Sequence, residues 1–104
     1  MNWKATDIQK LVQSFLLLRT PNEMQHFLRD LMTEKEITEM AKRLQAAEML
    51  TEKTPYSIIE KETGLSSTTV ARVAKWLKGK EGGYKIIIKR LHHHNSPQSG
   101  KGLS

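Results

Sequence analysis

Between residues 66 and 78 the chain reads SSTTVARVAKWLK, and no carboxylate occurs from residue 63 to residue 80. Hydroxyls both donate and accept hydrogen bonds, and a threonine methyl can lie against the methyl of thymine. On a helix, Arg72 falls on the same side as Thr68 and Thr69, one turn further along. Lys75 and Lys78 extend that positive face. This chemistry is non-covalent: Ser67, Thr68, Thr69 and Arg72 suit base edges, and the lysines suit phosphate. Ser66, one place earlier, is a residue type preferred as a helix cap. Short polar side chains there also let a helix backbone come close to a groove.

Such a helix needs something to present it. Upstream, TPYSIIEKETGL supplies a short helical pattern that opens at Thr54 and Pro55 and closes at Gly64. Glycine accepts the left-handed backbone that other residues resist. The second helix runs from about Ser67 to Lys78, with Val70, Val73, Ala74 and Leu77 as its apolar stripe. Ile59, Leu65, Val70 and Val73 give the two helices a small shared core. Residues 55–78 therefore describe a helix-turn-helix. An ordinary helical hairpin accounts for the glycine and the stripe equally well. It does not account for an exposed face that combines hydroxyls with Arg and Lys. Glu60 and Glu62, on the first helix, weigh against phosphate contact there.

The rest of the chain also reads as helix, giving an all-α fold of about six helices. Residues 3–18 carry Ile8, Leu11, Val12 and Phe15 at helical spacing, and Leu16, Leu17 and Leu18 make that helix apolar nearly all round. Such a helix has to be covered on several sides, which a second subunit would do. TPNE at 20–23 and TEKE at 33–36 are capping-box starts, with Thr20 and Thr33 as caps and Glu23 and Glu36 as their partners. The longest helix follows Thr33, with Ile37, Met40, Ala41, Leu44 and Ala47 on one face, and ends near Glu52. After the connector GKEGG at 79–83, YKIIIKRL fits both a strand and a helix. Tyr84, Ile87, Ile88 and Leu91 match the helical template, and helix is the assignment. One domain over residues 1–91 is expected, followed by a disordered polar tail at 92–104.

Charge is divided unevenly. The first 71 residues hold nine Lys/Arg and ten Asp/Glu, whereas residues 72–104 hold eight Lys/Arg and one acid, Glu81. A basic end beside a helix-turn-helix favours double-stranded DNA as a partner. There is no cysteine for a disulfide frame or zinc site, and the run His92, His93, His94 lacks metal-finger spacing. FLLL at 15–18 is too short to span a membrane, and no signal peptide opens the chain, so a cytoplasmic protein with no membrane partner is expected. Carboxylates interleave with lysines, and no phosphate loop or nucleophile elbow occurs. No catalytic residue, metal or cofactor is assigned. The competing class is a helical interaction module that has lost DNA reading.

The stretches LMTEKEITEMAKRLQAAEML and GLSSTTVARV resemble the Trp repressor superfamily, and most closely its Trp-repressor-like YerC/YecD family. The resemblance covers roughly residues 5–91. It implies an intertwined homodimer with a helix-turn-helix at each end, acting as a transcriptional regulator, in all expectation a repressor. It also implies a corepressor pocket between two arginines, which Arg43 and Arg72 match, with Met32 and Thr33 nearby. Two positions depart from that pattern. Val73 stands where the Trp repressor has a glycine, and Trp76 where it has a small serine. Both add volume, so the pocket is expected to be vestigial and the protein not to use tryptophan. Any other effector is left unspecified. For Arg43, a surface ion pair with an acid such as Glu39 is expected.

Overall fold

The computed structural model describes residues 1–94 as six helices: α1 (Thr6–Leu17), α2 (Pro21–Leu31), α3 (Glu34–Thr51), α4 (Tyr56–Thr63), α5 (Ser67–Leu77) and α6 (Gly83–His94). No strand occurs among the described residues. The isoleucine run therefore resolves as helix. Its apolar residues at i, i+3 and i+4 outweigh the intrinsic β-preference of isoleucine.

Two compact units divide the chain, Met1–Thr38 and a second beginning at Glu39. The expected tail starts later. α6 continues through His92, His93 and His94, whose position in its last turn suits the negative end of a helix. Residues 95–104, the remainder of that tail, lie outside the described residues.

In the first unit the helix starts are made as their spacing predicts. Thr20 Oγ1 accepts from the Glu23 N–H at 3.1 Å. Glu23 Oε1 reaches one residue further back than a capping box requires, accepting from the Arg19 N–H at 2.8 Å. The box at the start of α3 is complete: Thr33 Oγ1 accepts from the Glu36 N–H at 3.1 Å, and Glu36 Oε1 accepts from the Thr33 N–H at 2.9 Å. Phe15 and Phe27 meet edge to face, with centroids 5.6 Å apart. Yet neither α1 nor α2 contains a buried residue.

The second unit holds the core. Ala46, Ala47, Ile59, Leu65, Val70 and Val73 form one buried cluster, with Met49, Leu50, Tyr84 and Ile88 packed against it. Fully burying Ile59, Val70 and Val73 contributes about 1.5–3 kcal/mol each relative to exposure. All four residues expected in the hairpin core are in it. On α3 the buried face is narrower than its periodicity predicts: Ala46 joins Ala47, while Met40 and Ala41 stay exposed. Ala46 and Ala47 share the buried cluster with Ile59 of α4 and with Val70 and Val73 of α5. α3 ends with Lys53 at φ 64°, where its N–H donates to Leu50 O and the Thr54 N–H to Met49 O. That is a Schellman closure with lysine in the place glycine usually takes.

Candidate nucleic-acid interface

Gly64 has φ 77° and ψ 5°, the left-handed conformation, and its N–H donates to Glu60 O at 2.8 Å. A Cβ there would touch nothing within 4 Å, so the backbone angle, and not space, calls for glycine. Buried Thr63 braces the turn. Its hydroxyl donates to Ile59 O at 2.7 Å and accepts from the Leu65 N–H at 3.1 Å. Leu65 is thereby seated in the core and α5 starts two residues later.

Ser66 caps α5. Its Oγ accepts from the Thr69 N–H at 3.1 Å and donates to Thr69 Oγ1 at 3.0 Å. Two of the four hydroxyls are therefore occupied with shaping the helix start. Ser67 and Thr68 are exposed. Val70, Val73 and Ala74 face the core, and Leu77 is half-buried. On the opposite side lie Thr68, Arg72 and Lys75, spaced i, i+4 and i+7, all exposed. Lys78, the residue that ends α5, is exposed as well. Among the described residues, no ion pair engages Arg72, Lys75 or Lys78. α4 contributes Lys61 and Glu62 as exposed residues and Glu60 half-buried.

The residues matched to a ligand pocket differ in exposure. Val73 is fully buried and packs the hairpin core, which its helical spacing alone accounts for. Arg72 is on the outward row. Arg43 and Trp76 come together: the Arg43 guanidinium carbon lies 5.8 Å from the Trp76 ring centroid, within cation–π range. Arg43 Nε also lies 3.4 Å from Glu39 Oε2, as expected for an i, i+4 pair. That approach is a charge contact without hydrogen-bond alignment, and buried Nε has no hydrogen-bond partner. Trp76 lines an open, largely apolar depression of about 530 Å³ with Lys75, Gly79, Glu81, Gly83 and Tyr84. Arg43, Arg72 and Val73 do not line it. Burial pushes the Tyr84 phenol above its ordinary pKa, and the Arg43 charge acts against that rise. The sequence marks Tyr84 only as part of the apolar stripe of α6 and not as a site residue, because its neighbours Arg43 and Trp76 come from α3 and α5, distant in the chain.

Among the described residues no group of three or more His, Cys, Asp or Glu side chains could hold a metal ion, and no helix is long and apolar enough to cross a membrane. An all-helical chain with a glycine-turned helix-turn-helix and an outward basic row defines a helix-turn-helix regulator as the class. Comparison narrows it. Residues 6–92 match the Trp repressor protein family. The chain is 34% identical over 98 residues to the uncharacterized protein YerC of Bacillus subtilis, covering 94% of each. It is similar to a crystal structure of a TrpR-like protein from Eubacterium eligens, with TM-score 0.80 and 33% identity over 86% of this chain and 92% of that one. A proposed Trp repressor from Staphylococcus aureus gives TM-score 0.82 and 30% identity, covering 88% and 95%. The chain belongs to the Trp repressor family, a family of regulatory DNA-binding proteins and not of enzymes.

Proposed function

We propose that this protein is a sequence-specific, dimeric DNA-binding regulator, a repressor, that does not use tryptophan as its corepressor. One observation carries the reading: Thr68, Arg72 and Lys75 form an exposed row on α5, opposite the core, and among the described residues no ion pair engages the two cations. α5 then enters a major groove with Ser67, Thr68, Thr69 and Arg72 toward base edges, while Lys75 and Lys78 attract phosphate. Ser66 acts indirectly, by fixing the first turn. Family membership supports DNA as the partner. A DNA partner puts its work in the cytoplasm of a bacterial cell, the kind of organism its relatives come from.

Dimerisation follows from α1. Leu16 is 79% exposed and Leu17 74%, an apolar surface that a single chain leaves to water. A second copy covers it and pairs two α5 helices for a two-fold-related operator. The case against tryptophan is that Val73 fills core space and Trp76 takes the face of Arg43. Isothermal titration with L-tryptophan is expected to give no heat of binding, and micromolar affinity would overturn this part.

Selection of bound duplexes from random DNA tests the central reading. The expected result is one enriched motif with two-fold symmetry. A pool that enriches nothing, with no retardation at low salt, would instead favour an interaction module. Glu60 and Glu62 on α4 are the feature that favours that second reading.

A further inference from the structure

We propose that Arg43 and Trp76 form a clamp that holds the reading helix in its DNA-competent pose with no effector bound. The proposal rests on α5 being the reading helix. Arg43 lies on α3 one turn before the buried Ala46 and Ala47, and Trp76 lies on α5 close to one turn beyond the buried Val73. Their contact therefore adds an α3–α5 tie outside the small aliphatic core. The guanidinium carbon is 5.8 Å from the ring centroid. Glu39 approaches the same guanidinium at 3.4 Å, and buried Nε finds no hydrogen-bond acceptor. Tyr84 of α6 is close enough for the Arg43 charge to act on its phenol. Three helices thus meet at one guanidinium.

Core filling does not account for Trp76. The residue is 46% exposed, on the shoulder of α5 between the buried stripe and the outward row. It stands next to Lys75 and one turn beyond Arg72. Any tilt of the last turns of α5 moves both cations relative to DNA. A helix free to tilt is in the binding pose for only a fraction of the time, and its apparent affinity falls by that fraction. Trp76 and Arg43 are positioning residues: they touch no DNA in this scheme and act through the pose of Arg72 and Lys75.

The test is a double-mutant cycle on the full chain, in a Trp3→Phe background that leaves Trp76 as its one tryptophan. Affinity for a selected duplex and for a scrambled one is measured for Arg43→Ala, Trp76→Ala and the double variant. Each single change is expected to lower specific affinity about tenfold, with the double variant no worse than either. Scrambled-duplex affinity, which depends on charge more than on pose, falls far less. Trp76→Phe, which keeps a ring face, restores most of the loss, whereas Trp76→Leu, which keeps apolar bulk only, does not. Additive losses, or variants that bind as the parent does, would overturn the clamp. If the parent chain binds no duplex, the assignment of α5 fails separately. The clamp is then read in the free protein, from hydrogen exchange at amides 73–77. Faster exchange in both single variants, with no further change in the double, supports it, and unchanged exchange sinks it.

Discussion

At the start of α5, Ser66 and Thr69 already bond each other, whereas Arg72 one turn later is exposed and in no ion pair among the described residues. The two therefore answer to different measurements. Ser66→Ala removes the acceptor for the Thr69 N–H and is expected to cost about 1 kcal/mol of stability, seen as a lower urea midpoint. Its effect on DNA affinity should follow only from looser α5. Arg72→Ala should leave the urea midpoint unchanged, because the side chain is exposed and makes no ion pair with the described residues. It should cost about 1–3 kcal/mol on the selected duplex and far less on scrambled DNA. Equal losses on both duplexes would assign Arg72 to phosphate. Tyr84 gives a third, pH-dependent signal. Its folded pKa is raised, chiefly by burial, so the folded chain keeps its proton where the unfolded chain has begun to lose it. The stability it contributes is present in full below about pH 10, the ordinary tyrosine value, and is lost as pH rises past that point through the folded pKa. Tyr84→Phe should flatten this alkaline decline, measured by urea denaturation from pH 9 upward.

The elements divide according to how local their causes are. Thr20, Thr33 and Ser66 cap helices through atoms within four residues, and all three caps were legible from residue type and spacing. Gly64 was legible for the same reason, since its φ is set by the turn it makes. The contact of Arg43 with Trp76 was not, because no periodicity links residues on α3 and α5. The buried face of α3 was legible only in part. Alanine is small enough to sit on either side of a stripe, so Ala46 could not be told from Ala41 until the hairpin was placed. Lys53 left no mark in the sequence either: nothing in a lysine announces the left-handed closure of α3. That closure gives an element-level prediction. A non-glycine residue in the left-handed region costs about 1 kcal/mol or more, part of which glycine returns as unfolded-state entropy. Lys53→Gly should raise the melting temperature by a few degrees, as a gain of about 0.5 kcal/mol does in a chain of this size. Gly64→Ala should do the reverse, by about 1 kcal/mol, from backbone strain alone, since its Cβ meets no neighbour.

Two properties belong to the molecule as a whole: its divided charge and its uncovered apolar surface. The basic end of the chain, from residue 72, includes the end of α5 and all of α6, so on the proposed reading phosphate attraction and groove reading come from the same end of the sequence. Counterion release then makes affinity fall with salt, by about 0.9 in log–log slope for each phosphate neutralised. Lys75→Ala and Lys78→Ala should each reduce that slope by about one for every subunit bound, without changing which duplex is preferred. In the proposed dimer the subunit contact lies on α1, which buries no residue and leaves Leu16 and Leu17 the most exposed of its apolar side chains. Replacing both with Glu introduces charge into the surface that a second copy would cover. Sedimentation equilibrium of the unaltered chain should give twice the 11.9 kDa of one subunit, and the double Glu variant should give one. Its α5 row is untouched, so scrambled DNA should still be bound weakly by each monomer. Binding to the selected duplex should fall much further, because two half-sites about 34–36 Å apart can no longer be held by one particle. A variant that remains dimeric would move the interface away from α1. One that becomes monomeric yet keeps full specific affinity would show that a single α5 suffices for the reading proposed here.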